Sequence, residues 1–369
     1  MRPTEAEINL SSLKFNYLNI RKKVKNSKVM AVVKADAYGH GMLQCVEALN
    51  ALNEKKPDYY AVALLEEALE LRKARIKQPI LNFAPPLESE IKEFLKYKIL
   101  PTVFEEQHIE LLKQHSGNEK IKVHIKIDTG MGRLGVHYTK AFDFIEHISK
   151  EKKIIIDGIY THFATSDEND KQFAQLQLSR FAEIVERLKN AGVDYGKAHC
   201  ANSGAILDMP DSYFDMVRPG IALYGYYPSL ETSASIKLKP VMSLISEVTN
   251  VKLLEPGDSV SYGRRFIAGK PTWIASVSAG YADGYARGLT NKAKILIKNK
   301  MYNQIGQVCM DRIMLESGEE RLRPGQKVIL LGRSGKNNFD AWEWAKLLNT
   351  IPYEITCNIS KRVRRVYIN

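Results

Sequence analysis

The chain has no apolar run near the roughly 20 residues that a membrane-spanning helix requires. Its opening segment, Met1 to Asn9, mixes charged and apolar side chains and lacks the apolar centre of a secretory signal. Cysteine is scarce. Cys45, Cys200, Cys309 and Cys357 are widely scattered and form no C-x-x-C pair, so neither a metal site nor a disulfide framework is expected. Reduced thiols in a cytoplasmic protein fit better. Internal repeats and low-complexity linkers are missing. Acidic residues are in deficit, with 42 Asp and Glu against 54 Lys and Arg for a net charge of +12. The basic residues are densest near the start (Arg21, Lys22, Lys23, Lys25, Lys28) and at the end (Lys361, Arg362, Arg364, Arg365). They lack the interleaved aromatics or recognised motif of a nucleic-acid binder. No nucleic-acid or membrane partner is expected, and an enzyme acting on small anions suits the charge.

What is present is a folded composition, 44% hydrophobic and 26% charged over 369 residues. That length suits two domains, or one large barrel with an addition. From about Val29 to Tyr226, short β-branched runs alternate with stretches of helical spacing. The expected strands are Met30–Val33, Tyr60–Ala63, Ile80–Phe83, Leu100–Val103, Ile121–Ile127, Ile156–Thr161, Lys197–Cys200 and Phe214–Val217. Between them Leu65–Lys73, Glu88–Tyr97, Phe142–Lys150 and Gln175–Asn190 carry apolar residues three or four apart. Roughly eight such units in sequence point to an α/β fold, a (β/α)8 TIM-type barrel over residues 1–232, more than to an open doubly wound sheet. From about Ser233 the helical spacing nearly disappears. Leu244–Leu253, Ile274–Val277, Ile295–Ile297, Ile305–Val308 and Lys327–Leu331 read as strands, and Pro256-Gly257-Asp258 as a turn. One helix, Ala341–Leu348, follows Asp340 as its N-cap. Residues 233–369 are thus expected to form a second, mainly β C-terminal domain.

Barrel chemistry gathers at the C-terminal ends of the strands. Lys34 follows the first strand, where desolvation favours the neutral, nucleophilic form of an amine and attack on an aldehyde. Lys126 and Asp128 end the fifth, with Arg133 just beyond. His162 ends the sixth, Asn202 and Ser203 the seventh, and Arg218 the eighth. Any one of these alone is more often a solvated lysine, a core histidine or a structural ion pair. Their convergence on one rim is the signal. Barrels often hold a phosphate through their last two loops, here Asn202-Ser203-Gly204 and Pro219-Gly220-Ile221. A lysine nucleophile beside a phosphate cradle suggests pyridoxal 5'-phosphate bound covalently to the lysine.

Several segments taken in order carry a more specific signal: Ala31–Gly41, Asp128–Gly135, Arg218–Ile221, Ser261-Tyr262-Gly263-Arg264, Gly280–Gly284 and Cys309-Met310-Asp311. They closely resemble the alanine racemase family, pyridoxal-phosphate enzymes that interconvert L- and D-alanine, and the resemblance runs over essentially the whole chain. It implies an N-terminal barrel and a C-terminal β domain, with the first strand, about Thr4–Leu10, packed in the latter. It implies a head-to-tail homodimer with shared active sites, and D-alanine supplied to bacterial peptidoglycan. Carried onto this sequence, it makes Lys34 the cofactor's anchor and Tyr262 from the other subunit the second base. Tyr38, Ser203, Gly220, Ile221 and Tyr353 would hold the phosphate, with Asn202 in the same loop. Arg218 would face the pyridine nitrogen, and His162 would lie between Arg218 and Tyr262. Arg133 and Met310 would meet the substrate carboxylate, with Asp311 next in the chain and Tyr281 near the way in. Lys126 matches a position that some members carbamylate to orient Arg133.

Two bases on opposite faces of a planar intermediate racemise directly. Positive charge relayed through His162 and Arg218 would help Tyr262 shed its proton. Arg218 donates but cannot accept, so it would leave the ring nitrogen unprotonated and disfavour side reactions. The competing readings are a racemase of serine or several amino acids, a decarboxylase of the same architecture, and a non-catalytic pyridoxal-phosphate carrier. The decarboxylases need an acidic recognition site for larger basic substrates, and the carriers lack a β domain.

Overall fold

The computed structural model describes residues 3–369. The chain separates into two compact units, one of Lys14–Ala37 with Met42–Leu238, the other of the N-terminal segment through Leu13, Tyr38–Gly41 and Lys239–Asn369.

The first unit is built on eight parallel strands. In spatial order they are Met216–Val217, Lys28–Val32, Tyr59–Val62, Ile80–Asn82, Leu100–Val103, Ile121–Asp128, Ile154–Tyr160 and Lys197–His199. Single backbone bonds tie the last strand back to the seventh: Asp215 N–H donates to Ala198 O at 3.1 Å and Arg218 N–H to Ala201 O at 2.8 Å. The sheet is therefore a near-closed barrel, and all eight expected strands are present with edges within two residues of those expected. Parallel strands covered on both faces must be apolar nearly throughout, and all four residues of Tyr59–Val62 and of Leu100–Val103 are buried.

Helices cover the outside. Gln172–Asn190 buries Ala174, Gln177, Leu178, Phe181, Ile184 and Leu188, a stripe at helical spacing, and carries Arg187 and Lys189 in its last turn against the C-terminal dipole. Leu65–Lys73 has the expected bounds. The expected helix over Glu88–Tyr97 is split into a 3-10 turn, Glu88–Glu90, and Ile91–Lys96. The sequence reading passed over the helix Leu10–Val24. It ends in Arg21, Lys22 and Lys23, which places much of the N-terminal basic cluster at a helix C-terminus, and Arg21 pairs with Asp58 at 2.9 Å.

The second unit is mainly antiparallel. Lys327–Ser334, Lys294–Ile297, Lys300–Ile305, Ile313–Gly318, Thr272–Val277 and Met242–Leu254 follow one another, and Met242–Leu254 pairs again with Lys327–Ser334 to close the ring. Glu5–Asn9 joins antiparallel to Met242–Leu254 and parallel to Arg364–Ile368, so the first strand does belong with the β unit. The strand expected over Ile305–Val308 instead ends at Ile305, because Gly306 turns the chain at φ +69°. Ile313–Gly318, Asn337–Phe339 and Arg364–Ile368 carry no strong pattern and went unpredicted.

The helix Ala341–Leu348 begins as expected, with Asp340 accepting from Trp342 N–H at 2.9 Å. Trp344 within it is fully buried, set edge-on against Tyr285 at 4.9 Å, and its indole N–H donates to Leu330 O at 3.1 Å. Asp340→Ala should cost about 1 kcal/mol through the lost cap. Trp344→Ala should cost about 3–5 kcal/mol through the cavity and the orphaned carbonyl. Denaturant midpoints of the two variants check the order; equal shifts would refute it.

Candidate active site

Where the first barrel strand ends, the chain enters a short helix of the wrong hand. Ala35, Asp36, Ala37 and Tyr38 of Lys34–Gly39 all have φ of +53° to +54°. A left-handed turn costs an L-residue roughly 1–2 kcal/mol per position, so the surroundings must enforce it. Glu67 is one clamp: its carboxylate accepts from Ala35 N–H at 2.5 Å, Ala63 N–H at 2.9 Å and Leu64 N–H at 3.2 Å. Asp36 is another, accepting from Met42 N–H at 2.7 Å. Gly39 ends the turn at φ +84°, and a Cβ there would lie 2.3 Å from Thr356 O. Lys34 is the first residue of this held segment. Within the second unit, the Tyr38 ring lies 5.7 Å from that of Tyr353.

Across the barrel mouth Arg218 is buried and heavily engaged. Nη1 donates to His199 Nδ1 at 2.8 Å and His199 O at 2.9 Å. Nη2 donates to Thr161 O at 2.7 Å and Cys200 O at 3.1 Å, and lies 3.4 Å from His162 Nδ1. These bonds leave Nε as the nitrogen not used. Among the described residues no carboxylate takes part. Burial brings the guanidinium down to about 10, still charged at neutral pH. His162, half-buried, is pushed well below its ordinary value by burial and then by Arg218, Arg133, Lys126 and Lys34.

Lys126 is buried on the same rim, 5.5 Å above the Tyr160 ring that Arg218 also faces at 5.2 Å. Burial, then the charges of Arg133 and Arg218, brings its amine down to about 8. Arg133 is exposed on the loop after the same strand. Asp128 holds that loop, accepting from Gly130 N–H at 2.9 Å and Gly132 N–H at 3.1 Å. At the last two strand ends, Ser203 Oγ accepts from Gly220 N–H at 3.0 Å and Ala222 N–H at 3.3 Å, so the two loops are knitted together beside Ile221. Asn202 spends its side-chain oxygen locally, capping Ala205 N–H at 3.0 Å and accepting from Ser166 at 2.8 Å.

The second unit collects Tyr262, Tyr281, Met310 and Asp311 on one face. Tyr281 N–H donates to Cys309 O at 3.0 Å and Ala282 N–H to Met310 O at 3.1 Å. Gly280 is required by this approach, since its Cβ would lie 2.3 Å from both carbonyl oxygens. Ser261, at φ +65°, sets Tyr262 outward and donates to Gln307 O at 2.7 Å, 3.2 Å from Cys309 Sγ. Arg362 bridges Asp283 at 3.0 Å and Asp311 at 2.5 Å. Tyr262 is 73% exposed, Met310 52% and Tyr281 43%.

The family description "Alanine racemase, N-terminal domain" matches residues 8–228, and "Alanine racemase, C-terminal domain" matches residues 241–367. The chain belongs to the alanine racemase family. The alanine racemase of Carboxydothermus hydrogenoformans is 41% identical over the whole of both chains, and that of Clostridium tetani is 44% identical over this whole chain and 96% of its own. Among solved structures, the alanine racemase of Clostridium difficile 630 superposes with a TM-score of 0.91 at 39% identity, over 100% of this chain and 96% of that one. The Bacillus anthracis alanine racemase with bound L-Ala-P gives 0.92 at 36% identity, with the same coverage. The chain is thus an amino-acid racemase, an isomerase, with the two-part architecture of that family.

Within each unit the expected residues fall together, Lys34, Lys126, His162, Ser203, Arg218 and Gly220 at barrel strand ends, and Tyr262, Tyr281, Met310 and Asp311 on the β face. Sequence reading missed Glu67 and His199. His199 had a usable signal, a histidine at the end of a barrel strand, whereas Glu67 looked like any helix-start carboxylate. The clamp on the left-handed turn is testable. Glu67→Ala should lower stability by about 1 kcal/mol by removing the carboxylate that caps three N–H groups, and Ala35→Gly should raise it by about 0.5–1 kcal/mol by relieving φ. Opposite signs in a thermal-shift series bear this out; a destabilised Ala35→Gly would contradict it.

Proposed function

We propose that the chain interconverts L- and D-alanine with pyridoxal 5'-phosphate as cofactor, using Lys34 and Tyr262 as the two bases, Tyr262 coming from a partner subunit of a homodimer. The observation that carries this reading is Arg218, fixed by five bonds with Nε unspent and no carboxylate beside it. The donor set fits the cofactor: a lysine at a strand end, a donor-only guanidinium for an unprotonated ring nitrogen, and the joined loops of Ser203, Gly220 and Ile221 for a phosphate. The family resemblance adds Tyr38 and Tyr353 to the phosphate grip, with Asn202 shaping the loop that carries Ser203. When bound, the cofactor supplies a conjugated ring that spreads the negative charge left by removal of the α proton.

The chain's own groups do the rest. Lys34 Nζ takes or returns the α proton on one face of the substrate, and the Tyr262 hydroxyl does so on the other. His162, kept neutral by burial and the surrounding cations, accepts from Arg218 at Nδ1 and so presents an Nε2–H that can donate to the Tyr262 oxygen, linking it to Arg218. Arg133 orients the substrate carboxylate beside Met310 and Asp311, and Tyr281 lines the way in. Tyr262, Met310 and Tyr281 form an exposed, largely apolar face of the kind that marks a subunit contact, which supports the shared site. A cytoplasmic enzyme feeding D-alanine to peptidoglycan suits this reading. The names of the relatives support alanine rather than serine as the substrate.

Tyr262→Phe should lower racemisation by roughly 10²–10⁴-fold while the protein still takes up cofactor colour. Lys34→Ala should be inactive and colourless. Mixing the two in equal amounts should restore about a quarter of wild-type activity, since about half the dimers are mixed and each has one working site of two. No recovery after demonstrated subunit exchange would overturn the shared site.

Lys126 is suited to carbamylation. Its neutral amine, populated above about pH 8, attacks CO2, forming an N–C bond and losing a proton. The cation beside Arg133 and Arg218 becomes an anion. Protein given ¹³C-bicarbonate should show a carbamate carbon signal that Lys126→Arg lacks. Its absence from wild type at neutral to mildly alkaline pH would sink the assignment.

A further inference from the structure

Beneath Arg218 three buried polar side chains, His199, His124 and Asp157, play no part in the chemistry above. They continue from the guanidinium as one chain of hydrogen bonds. Arg218 Nη1 is 2.8 Å from His199 Nδ1, His199 Nε2 is 3.0 Å from His124 Nδ1, and His124 Nε2 is 3.2 Å from Asp157 Oδ2. A guanidinium only donates, so His199 Nδ1 accepts and the His199 proton sits on Nε2. That N–H donates to His124 Nδ1, which puts the His124 proton on Nε2, facing the carboxylate. The chain has a donor-only group at its top and an acceptor-only group at its bottom. Its direction is fixed from both ends.

The surrounding groups keep both imidazoles neutral. Burial, then Arg218, pushes His199 well below its ordinary value. Burial also lowers His124, against the pull of Asp157. Burial opposes the charge on Asp157, yet His124, Tyr59 and Lys197 together hold its carboxyl below the usual range. The Tyr59 hydroxyl donates to Asp157 Oδ2 at 2.8 Å, and Lys122 and Lys197 lie 3.4 and 3.8 Å from Oδ1. Tyr160 stacks on His199 at 5.0 Å with the rings 6° apart.

The backbone is shaped around this chain. Val123 pairs with Ile156 but His124 pairs with Gly158, so Asp157 is the extra residue of a bulge, a device that re-aims one side chain. Gly158 makes room for the imidazole, because a Cβ there would lie 2.7 Å from His124 Cε1. Gly196 makes room for the bulge, its Cβ falling 2.4 Å from the Asp157 carbonyl.

We propose that Asp157, acting through His124 and His199, is a positioning residue for Arg218. It locks both imidazoles with the proton on Nε2, so Nη1 always finds an acceptor and the guanidinium keeps one orientation. Without that anchor only the guanidinium's own donation orders the chain, and a His124 proton on Nδ1 would oppose the His199 N–H and turn that ring out of line beneath Arg218. The proposal rests on the assignment of Arg218 to the cofactor's ring nitrogen, but its main test does not. In ¹⁵N-histidine-labelled protein free of cofactor, nitrogen NMR should show His199 and His124 as neutral, single Nε2–H tautomers from about pH 6 to about pH 9. In Asp157→Ala the single tautomer at His124, the ring that the carboxylate holds directly, should be lost.

In the loaded enzyme, His124→Leu should lower kcat on the order of 10–100-fold with KM for alanine within about twofold. His124→Gln, whose amide can accept from His199 and donate to Asp157, should stay within about threefold of wild-type kcat. Wild-type rings protonated on Nδ1 or on both nitrogens would overturn the proposal. So would a fully active His124→Leu, or a His124→Gln as impaired as the leucine variant, which would mean simple packing. A wild type that does not racemise alanine counts against the proposed function, while the nitrogen spectrum still decides the tautomers.

Discussion

A buried guanidinium with no carboxylate beside it is the constraint on which this barrel turns. Arg218 is satisfied by carbonyls of Thr161, His199 and Cys200 and by the imidazoles of His199 and His162. Stranding such a charge without acceptors would cost several kcal/mol. The carbonyls belong to the residue just beyond the sixth strand, the last residue of the seventh and the one just beyond it, while Arg218 follows the eighth. They meet only if the barrel nearly closes, and one of the two closing bonds is made by Arg218's own backbone, N–H to Ala201 O. Fold and site are therefore one requirement. The last strand can be as short as Met216–Val217 because its successor is pinned by its side chain.

A second cost stands opposite. Four consecutive residues in the left-handed region, none of them glycine until Gly39, store strain right after Lys34. Such segments persist only where their surroundings over-determine them. Here the clamps come from Glu67 at the start of a barrel helix and from Asp36 folding back on Met42. The price is local rigidity gained where the amine leaves the strand. A flexible lysine at the same strand end would pay rotamer entropy each time it met a partner.

Much of this was legible in the sequence, and the boundary is physical. Eight apolar β-branched runs spaced by helical stripes identify a parallel barrel because both strand faces are buried. The sites at strand ends then follow from topology. The second unit was less legible. Its strands Ile313–Gly318 and Arg364–Ile368 owe their existence to partners far along the chain, Thr272–Val277 and Glu5–Asn9, and no local pattern announces that. The helix Leu10–Val24 has a weak amphipathic face and hid behind its own basic end. At the site, motif and topology brought out the residues on which the proposed function rests. They could not find Glu67 or Asp157, whose roles arise from a turn of reversed hand and a bulge, neither of which leaves a composition signal.

The interior polar residues bear on the same point. Buried histidines and a carboxylate cost more than the aliphatic side chains that would fill a barrel equally well, unless each is satisfied. His124 and His199 are satisfied only in one proton arrangement, and that arrangement needs a donor above and an acceptor below. Replacing any single member with an apolar residue strands its neighbour, so the set holds together as a whole. Glycines at 158 and 196 show the backbone yielding volume to it, at positions where a side chain would otherwise pack the core. A barrel selected for stability alone has no use for that concession. One that must hold an uncompensated guanidinium in a single orientation does.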